Sequence, residues 1–135
     1  MMTWETGKVL PPWHGTVSLQ DVVRYAGASG DFNPIHYDDA VARRHGLPGV
    51  IVHGMFNMGV IARYVETVAP NNANLITFSA RFRSMVEPGQ TYSITAQVDS
   101  QTEREGSKQE VVLGLALTVD GNRPAITAKA TLLIP

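Results

Sequence analysis

Three stretches in the second half of the chain alternate apolar with mostly polar residues at a period of two, and no other feature narrows the fold as much. Tyr92, Ile94, Ala96 and Val98 make the first set, Val111, Leu113, Leu115, Leu117 and Val119 the second, and Ile126, Ala128, Ala130, Leu132 and Ile134 the third. Successive side chains of a strand point to opposite faces, so this spacing predicts antiparallel strands with one buried face. Glu105-Gly106 and Asp120-Gly121-Asn122 supply hairpin turns between them, and Pro88-Gly89 closes an earlier strand from about Leu75 to Ser84.

The first half reads as helical. Ser18 with Asp21 three positions on forms an N-terminal cap, and Leu19, Val22, Val23 and Ala26 follow at helical spacing, which predicts a helix from about Ser18 to Ala28. Asp38 and Asp39 at the start, Arg43 and Arg44 near the end and Gly46 just beyond mark a short second helix with charges suited to its dipole. A third, from about Gly54 to Val68, carries no charge until Arg63 and Glu66, as a helix enclosed by a sheet would. The expectation is an α+β fold in a single domain over residues 1–135: a long curved antiparallel sheet wrapped around one apolar helix. An isolated protomer of that kind leaves a sheet edge unpaired, so pairing with a second copy or a paralogue is expected.

Composition narrows the function classes. The 135 residues, 44% of them hydrophobic, supply material for one core. A net charge of -1 from 11 basic and 12 acidic residues argues against nucleic acid or an anionic membrane surface as partner. The chain has no cysteine, which excludes disulfides, thiolate metal sites and cysteine nucleophiles and fits a cytoplasmic setting. Met1 to Trp13 carries a single lysine and no apolar segment, unlike a signal peptide. The uncharged run from Leu47 to Ala62 is interrupted by Pro48, Gly49, His53, Gly54 and Asn57; it suits a core helix rather than a membrane span.

The chemistry concentrates in Ser29-Gly30-Asp31-Phe32-Asn33-Pro34-Ile35-His36. Pro34 has no N–H to donate and holds Asn33 extended, so the chain turns here rather than continuing the first helix. Gly30 gives the backbone freedom just before the acid, and the Asn33 side chain can bond its own loop. A stiff polar loop can thus present a carboxylate and an imidazole together, spaced to hold one water.

Read as Tyr-x-x-Ala-Ser-Gly-Asp-x-Asn-Pro-Ile-His-x5-Ala, residues Tyr25 to Ala42 resemble the signature of the MaoC-like (R)-specific enoyl-thioester hydratases and dehydratases, which have the hot-dog fold. Ala28 stands where that family often has leucine. Val52-His53-Gly54-Met55 is similar to the opening of the family's central helix, and Phe78 to Gly89 to its Arg-Phe-Arg strand ending in Pro-Gly. The resemblance runs from Tyr25 to Gly89. It implies a lyase of fatty-acyl metabolism acting on a coenzyme A or acyl-carrier-protein thioester, without cofactor or metal. Asp31 and His36 would be catalytic, flanking one water for syn addition across a trans-2-enoyl thioester to give the (3R)-hydroxyacyl product.

Gly54, at the start of the third helix, has a free N–H at the positive end of the dipole and can meet the thioester oxygen as enolate charge develops. Asn33 orders the loop beside the substrate. Met55 and Phe56, with Met58, are candidates for an acyl-binding surface. Some members of the resembled family carry a serine about five positions after the helix-opening glycine to orient the acid; this chain has Gly59 there, so Asn57 or a backbone group is expected to take over. His53 is expected to be structural at the helix start, and His14 and His45 to be surface or satisfied histidines. Arg81 and Arg83 can meet carrier phosphates or simply face solvent. Two alternatives stand beside the hydratase. A hot-dog thioesterase would need an acid on the central helix facing the thioester, where this chain offers only the late Glu66. A non-catalytic acyl-binding subunit of a heteromeric dehydratase would have no need of an intact Asp31 and His36.

Overall fold

A computed structural model describes residues 4–121 and 123–135. In chain order it contains β1 (Trp13–Thr16), α1 (Leu19–Ser29), a 3-10 turn (Pro34–His36), α2 (Asp39–Arg44), α3 (Gly54–Val68), β2 (Asn74–Phe82), β3 (Thr91–Arg104), β4 (Lys108–Val119) and β5 (Pro124–Ile134). The strands form one five-stranded antiparallel sheet in the order β1-β3-β4-β5-β2. This is the hot-dog arrangement.

The alternating residues face inward as their period requires. Ile94, Val98, Leu113, Leu117, Ile126 and Leu132 are fully buried and pack with Ile61 and Val65 of α3 in one core. Each side chain of this size contributes about 1.5–3 kcal/mol on leaving water, so the inner face of the sheet accounts for much of the stability. On α3 the buried residues are Asn57, Ile61, Tyr64 and Val65, spaced to form one stripe. The cap at α1 is reciprocal: Ser18 Oγ accepts the Asp21 N–H at 3.1 Å while Asp21 Oδ2 accepts the Ser18 N–H at 3.0 Å.

Two details depart from the sequence pattern. β1 carries no alternation that would predict it; it is four residues long and is fixed by pairing with β3 from Trp13↔Ile94 to Thr16↔Thr91. β3 runs past the apolar set to Arg104, because a register shift between Val98 and Ser100 lets Gln101 to Arg104 continue pairing as an exposed hairpin. That hairpin closes at Glu105–Ser107, with Gly106 and Ser107 at positive φ. In the next turn Asp120 and Gly121 also take positive φ, while Asn122 lies outside the described residues.

The edges differ. β1 is short, whereas β2 is nine residues long, pairs only with β5 and leaves Leu75, Ile76 and Phe82 exposed. No helix among the described residues is long and apolar enough to cross a membrane.

Candidate active site

α1 ends at Gly30, whose left-handed backbone (φ 78°) turns the chain outward while its N–H still reaches the Ala26 carbonyl at 3.0 Å. From there each residue ties the next. Ser29 Oγ donates to the Tyr25 carbonyl at 2.7 Å and accepts the Asp31 N–H at 3.1 Å. Asp31 Oδ1 accepts the Asn33 N–H at 3.2 Å, and Asn33 Oδ1 accepts the Ile35 N–H at 3.3 Å, capping the 3-10 turn that begins at Pro34. The turn delivers His36, whose Nδ1 lies 2.7 Å from the Ile51 carbonyl. A carbonyl oxygen only accepts, so Nδ1 carries a proton, and in the neutral form of the ring Nε2 presents a lone pair.

That lone pair faces Asp31. His36 Nε2 and Asp31 Oδ2 are 3.9 Å apart, with side chains 8% and 52% exposed respectively. The separation is too long for a direct hydrogen bond and suits a bridging water. The backbone alternative expected for orienting the acid is the one observed: Asn33 N–H holds Oδ1, and Asn57 makes no hydrogen bond to Asp31. Asn57 is instead buried with its Oδ1 unpartnered among the described residues. A Cβ at Gly59 would meet nothing within 4 Å.

The segment after α2 brings the third part. Asp39 Oδ1 accepts the Val50 N–H at 3.2 Å and its Oδ2 accepts Arg43 Nε at 2.9 Å; this bond, with the Val50 contact, holds the Asp39 carboxyl below its usual range. Ile51 N–H then bonds the Ile35 carbonyl at 3.2 Å, and Val52 N–H the Val86 carbonyl at 2.8 Å. α3 therefore starts at Gly54 beside the loop. The His53 side chain makes no capping bond, which leaves the N–H groups of the first turn free. A Cβ on Gly54 would come within 3.2 Å of the half-exposed Phe82 ring, a tight contact that the ring would have to relieve.

The remaining expected residues are spread around this core. Met55 is exposed. Phe56 packs edge-on against Tyr25, ring centroids 5.4 Å apart, and with Trp13, Val60, Tyr64 and Tyr92 lines a cavity of about 460 Å³ between α1, α3 and the β1 end of the sheet. Arg81 lies on the face of β2 opposite Phe82, where it pairs with Thr127 and Ser79 with Lys129, and Arg83, just past the strand, bonds Thr127 Oγ1 through Nε at 3.2 Å. His14 is exposed, and His45 bonds the Val41 carbonyl through Nδ1 at 2.9 Å.

His53 has a larger part than its place at the helix start suggests. Its ring stacks on His36 at 3.7 Å and 19°, and its Nε2 lies 3.2 Å from the Asp31 carbonyl and 4.0 Å from Asp31 Oδ2. The only signal of this in the sequence is a histidine beside the helix-opening glycine, 22 residues from Asp31. Asp31, His36 and His53 together offer ligand atoms within 4.8 Å of one another. Two rings lying nearly parallel hold their nitrogens side by side, however, rather than converging on one point as a tetrahedral metal requires.

These features define an α+β hot-dog protein in which the loop after α1 joins a carboxylate to an imidazole beside an open helix start. The chain belongs to the MaoC-like dehydratase family, whose model, described as MaoC like domain, matches residues 6–120. It is 31% identical to the (R)-specific enoyl-CoA hydratase of Rhodospirillum rubrum over 121 residues, 89% of this chain and 81% of the relative. The solved (R)-hydratase from A. caviae involved in PHA biosynthesis superposes with a TM-score of 0.84 at 23% identity, covering 100% of both chains. The ChsH1-ChsH2 complex from Mycobacterium tuberculosis gives a TM-score of 0.83 at 21% identity, covering 96% of this chain and 98% of that one. Fungal relatives are far longer: fatty acid synthase subunit beta of Aspergillus oryzae is 32% identical over 71% of this chain, a stretch that makes up 5% of the relative.

Proposed function

We propose that the protein adds water to trans-2-enoyl thioesters to form (3R)-hydroxyacyl thioesters and catalyses the reverse dehydration. The observation that carries this is the 3.9 Å gap between His36 Nε2 and Asp31 Oδ2, two acceptors turned toward each other with the rest of each side chain tied down. A water held there is polarised by both. As its oxygen bonds the β carbon, one of its protons passes to the dyad and is returned to the α carbon, so that oxygen and hydrogen arrive from one side and the addition is syn. The electron pair of the double bond moves through the α carbon onto the thioester oxygen, where the Gly54 N–H at the start of α3 stabilises the charge. Asn33 supports the geometry by fixing Oδ1 and capping the turn.

The acyl group meets Met55 and Phe56 on the first turn of α3 in this reading. The carrier is coenzyme A or a carrier protein, supported by Arg81, Arg83, Arg123 and Lys129, which line adjoining hollows on the outer face of β2 and β5. None of the four enters an ion pair among the described residues. β2 pairs with a second copy or a related hot-dog chain, supported by its unpaired length and exposed Leu75, Ile76 and Phe82. The chain's lack of cysteine supports a reducing, cytoplasmic setting. Glu66, the acid that a thioesterase would need, is exposed in the last turns of α3.

The test is the loss of enoyl-thioester absorbance with a short trans-2-enoyl-CoA, run beside Asp31→Asn and His36→Ala. Turnover by the intact protein that both folded variants lose supports the proposal. Absence of turnover by the intact protein on short and long chains, with coenzyme A and with a carrier protein, rejects it in favour of the acyl-binding subunit.

A further inference from the structure

Three of the four polar atoms of Asp31 are occupied: N–H by Ser29 Oγ, Oδ1 by the Asn33 N–H, and the backbone carbonyl by His53 Nε2. Only Oδ2 remains, facing the water gap. Two of these three ties come from the loop itself, within two residues of Asp31. The third comes from the far side of the site, and the ring that makes it also lies flat against His36. Its other neighbour is the edge of Tyr25, centroids 4.8 Å apart, and the ring is 2% exposed.

We propose that His53 is the positioning residue of this site: one buried imidazole fixes the backbone under Asp31 through its Nε2–H and the plane of His36 through its stacked face, and thereby sets the gap in which the water sits. This rests on the hydratase reading for its effect on rate. The proton placement follows from the partners alone. The Asp31 carbonyl can only accept, so His53 carries its proton on Nε2, whereas His36, bonded to the Ile51 carbonyl, carries its own on Nδ1. The two stacked rings are thus opposite tautomers. His53 Nδ1 is then a bare lone pair, buried with no hydrogen-bond partner among the described residues. Because the His53 carbonyl already accepts the Asn57 N–H at 3.3 Å in the first turn of α3, a shift of the ring moves with the helix that also supplies the Gly54 N–H. Loop, second histidine and helix start are coupled through this one side chain.

The tautomers are read directly from long-range 15N–1H spectra of the intact protein at neutral pH, with no substrate present. His53 in the Nε2–H form and His36 in the Nδ1–H form is the expected result; His53 in the Nδ1–H form overturns the proposal, even in a protein that shows no hydratase turnover. Kinetics then test the consequence in three variants. His53→Gln keeps an amide N–H near the place of Nε2, His53→Phe keeps a stacking face, and His53→Ala keeps neither. Misplacing reacting groups by about 1 Å lowers rate roughly a hundredfold, so His53→Ala should lose about that factor in kcat with KM within about twofold, and Gln and Phe should each restore part of it. A folded His53→Ala with kcat within about twofold of the parent, or Gln and Phe variants no better than alanine, would show that the ring merely fills space.

Discussion

The two halves of α3 are built to different standards. In the C-terminal half the buried groups are satisfied: Ile61 and Val65 are enclosed in the core, and the Tyr64 hydroxyl, with its ionisation pushed up by burial, donates to the Pro11 carbonyl at 2.7 Å. At the N-terminal end His53 Nδ1 and Asn57 Oδ1 are buried without partners among the described residues, the first-turn N–H groups are uncapped, and Gly59 stands where alanine would favour the helix. An unpaired buried polar atom costs about 1–3 kcal/mol, so the site end gives up stability that the core end keeps. A local departure from good packing that coincides with a constellation of acid, imidazole and free N–H groups is the pattern expected where function overrides stability.

Mutations at the two ends should therefore separate activity from folding. The largest effect is expected at the dyad, where Asp31→Asn or His36→Ala should lower kcat about 10²–10⁴-fold, measured by enoyl-thioester absorbance; by circular dichroism the exposed Asp31→Asn should leave the thermal midpoint nearly unchanged, whereas His36→Ala, which empties a buried site and orphans the Ile51 carbonyl, should lower it. Ile61→Ala inverts the pattern of Asp31→Asn. It should cost about 2–5 kcal/mol in urea unfolding and leave kcat of the folded protein nearly unchanged. Asn57→Leu removes a buried unsatisfied oxygen and should raise stability by about 1 kcal/mol; a loss of stability would mean that the amide has a partner and would erase the contrast. Gly59→Ala, with open space at its Cβ, should add about 0.5–1 kcal/mol, read as a rise in the denaturant midpoint; no rise would mean that the site end gives up nothing at this position.

The smallest effect is a pH dependence. Asp39, whose carboxyl lies below its ordinary value of 3.8 through the Arg43 and Val50 bonds, and Asp21, held down by Ser18, are both exposed. A depressed folded value means that the stability these bonds contribute is present above pH 3.8 and is lost as the pH falls through the lower folded value. An acid titration of the thermal midpoint should flatten slightly in Asp39→Asn. Because Asp39 anchors the segment leading to His53, kcat should respond more than stability does.

Much of this architecture is legible in the amino-acid sequence. The alternation at period two predicts β3, β4 and β5 and the face that each buries; the charge-free run predicts α3 from Gly54 to Val68; and the Ser18 cap, Gly30 and Pro34 bound the first helix and the loop. All of these depend on interactions within a few residues, which a sequence displays directly. β1 escapes such a reading because four residues without alternation become a strand only when β3 is there to pair with them. The face of Arg81, away from Phe82 and Gly54, follows from the register of β2 on β5.

By itself, then, the chain determined all its main elements except β1 and the loop that carries Asp31 and His36, since turn chemistry and hydrophobic period act locally. Only the tertiary structure decided how far apart the two polar side chains stand, that Asn33 rather than Asn57 restrains the carboxylate, and that His53 crosses 22 residues of sequence to lie between Tyr25 and His36. Those depend on the packing of α3 against the loop and the sheet, where position is set by the summed burial of side chains distant in sequence and no short motif records it.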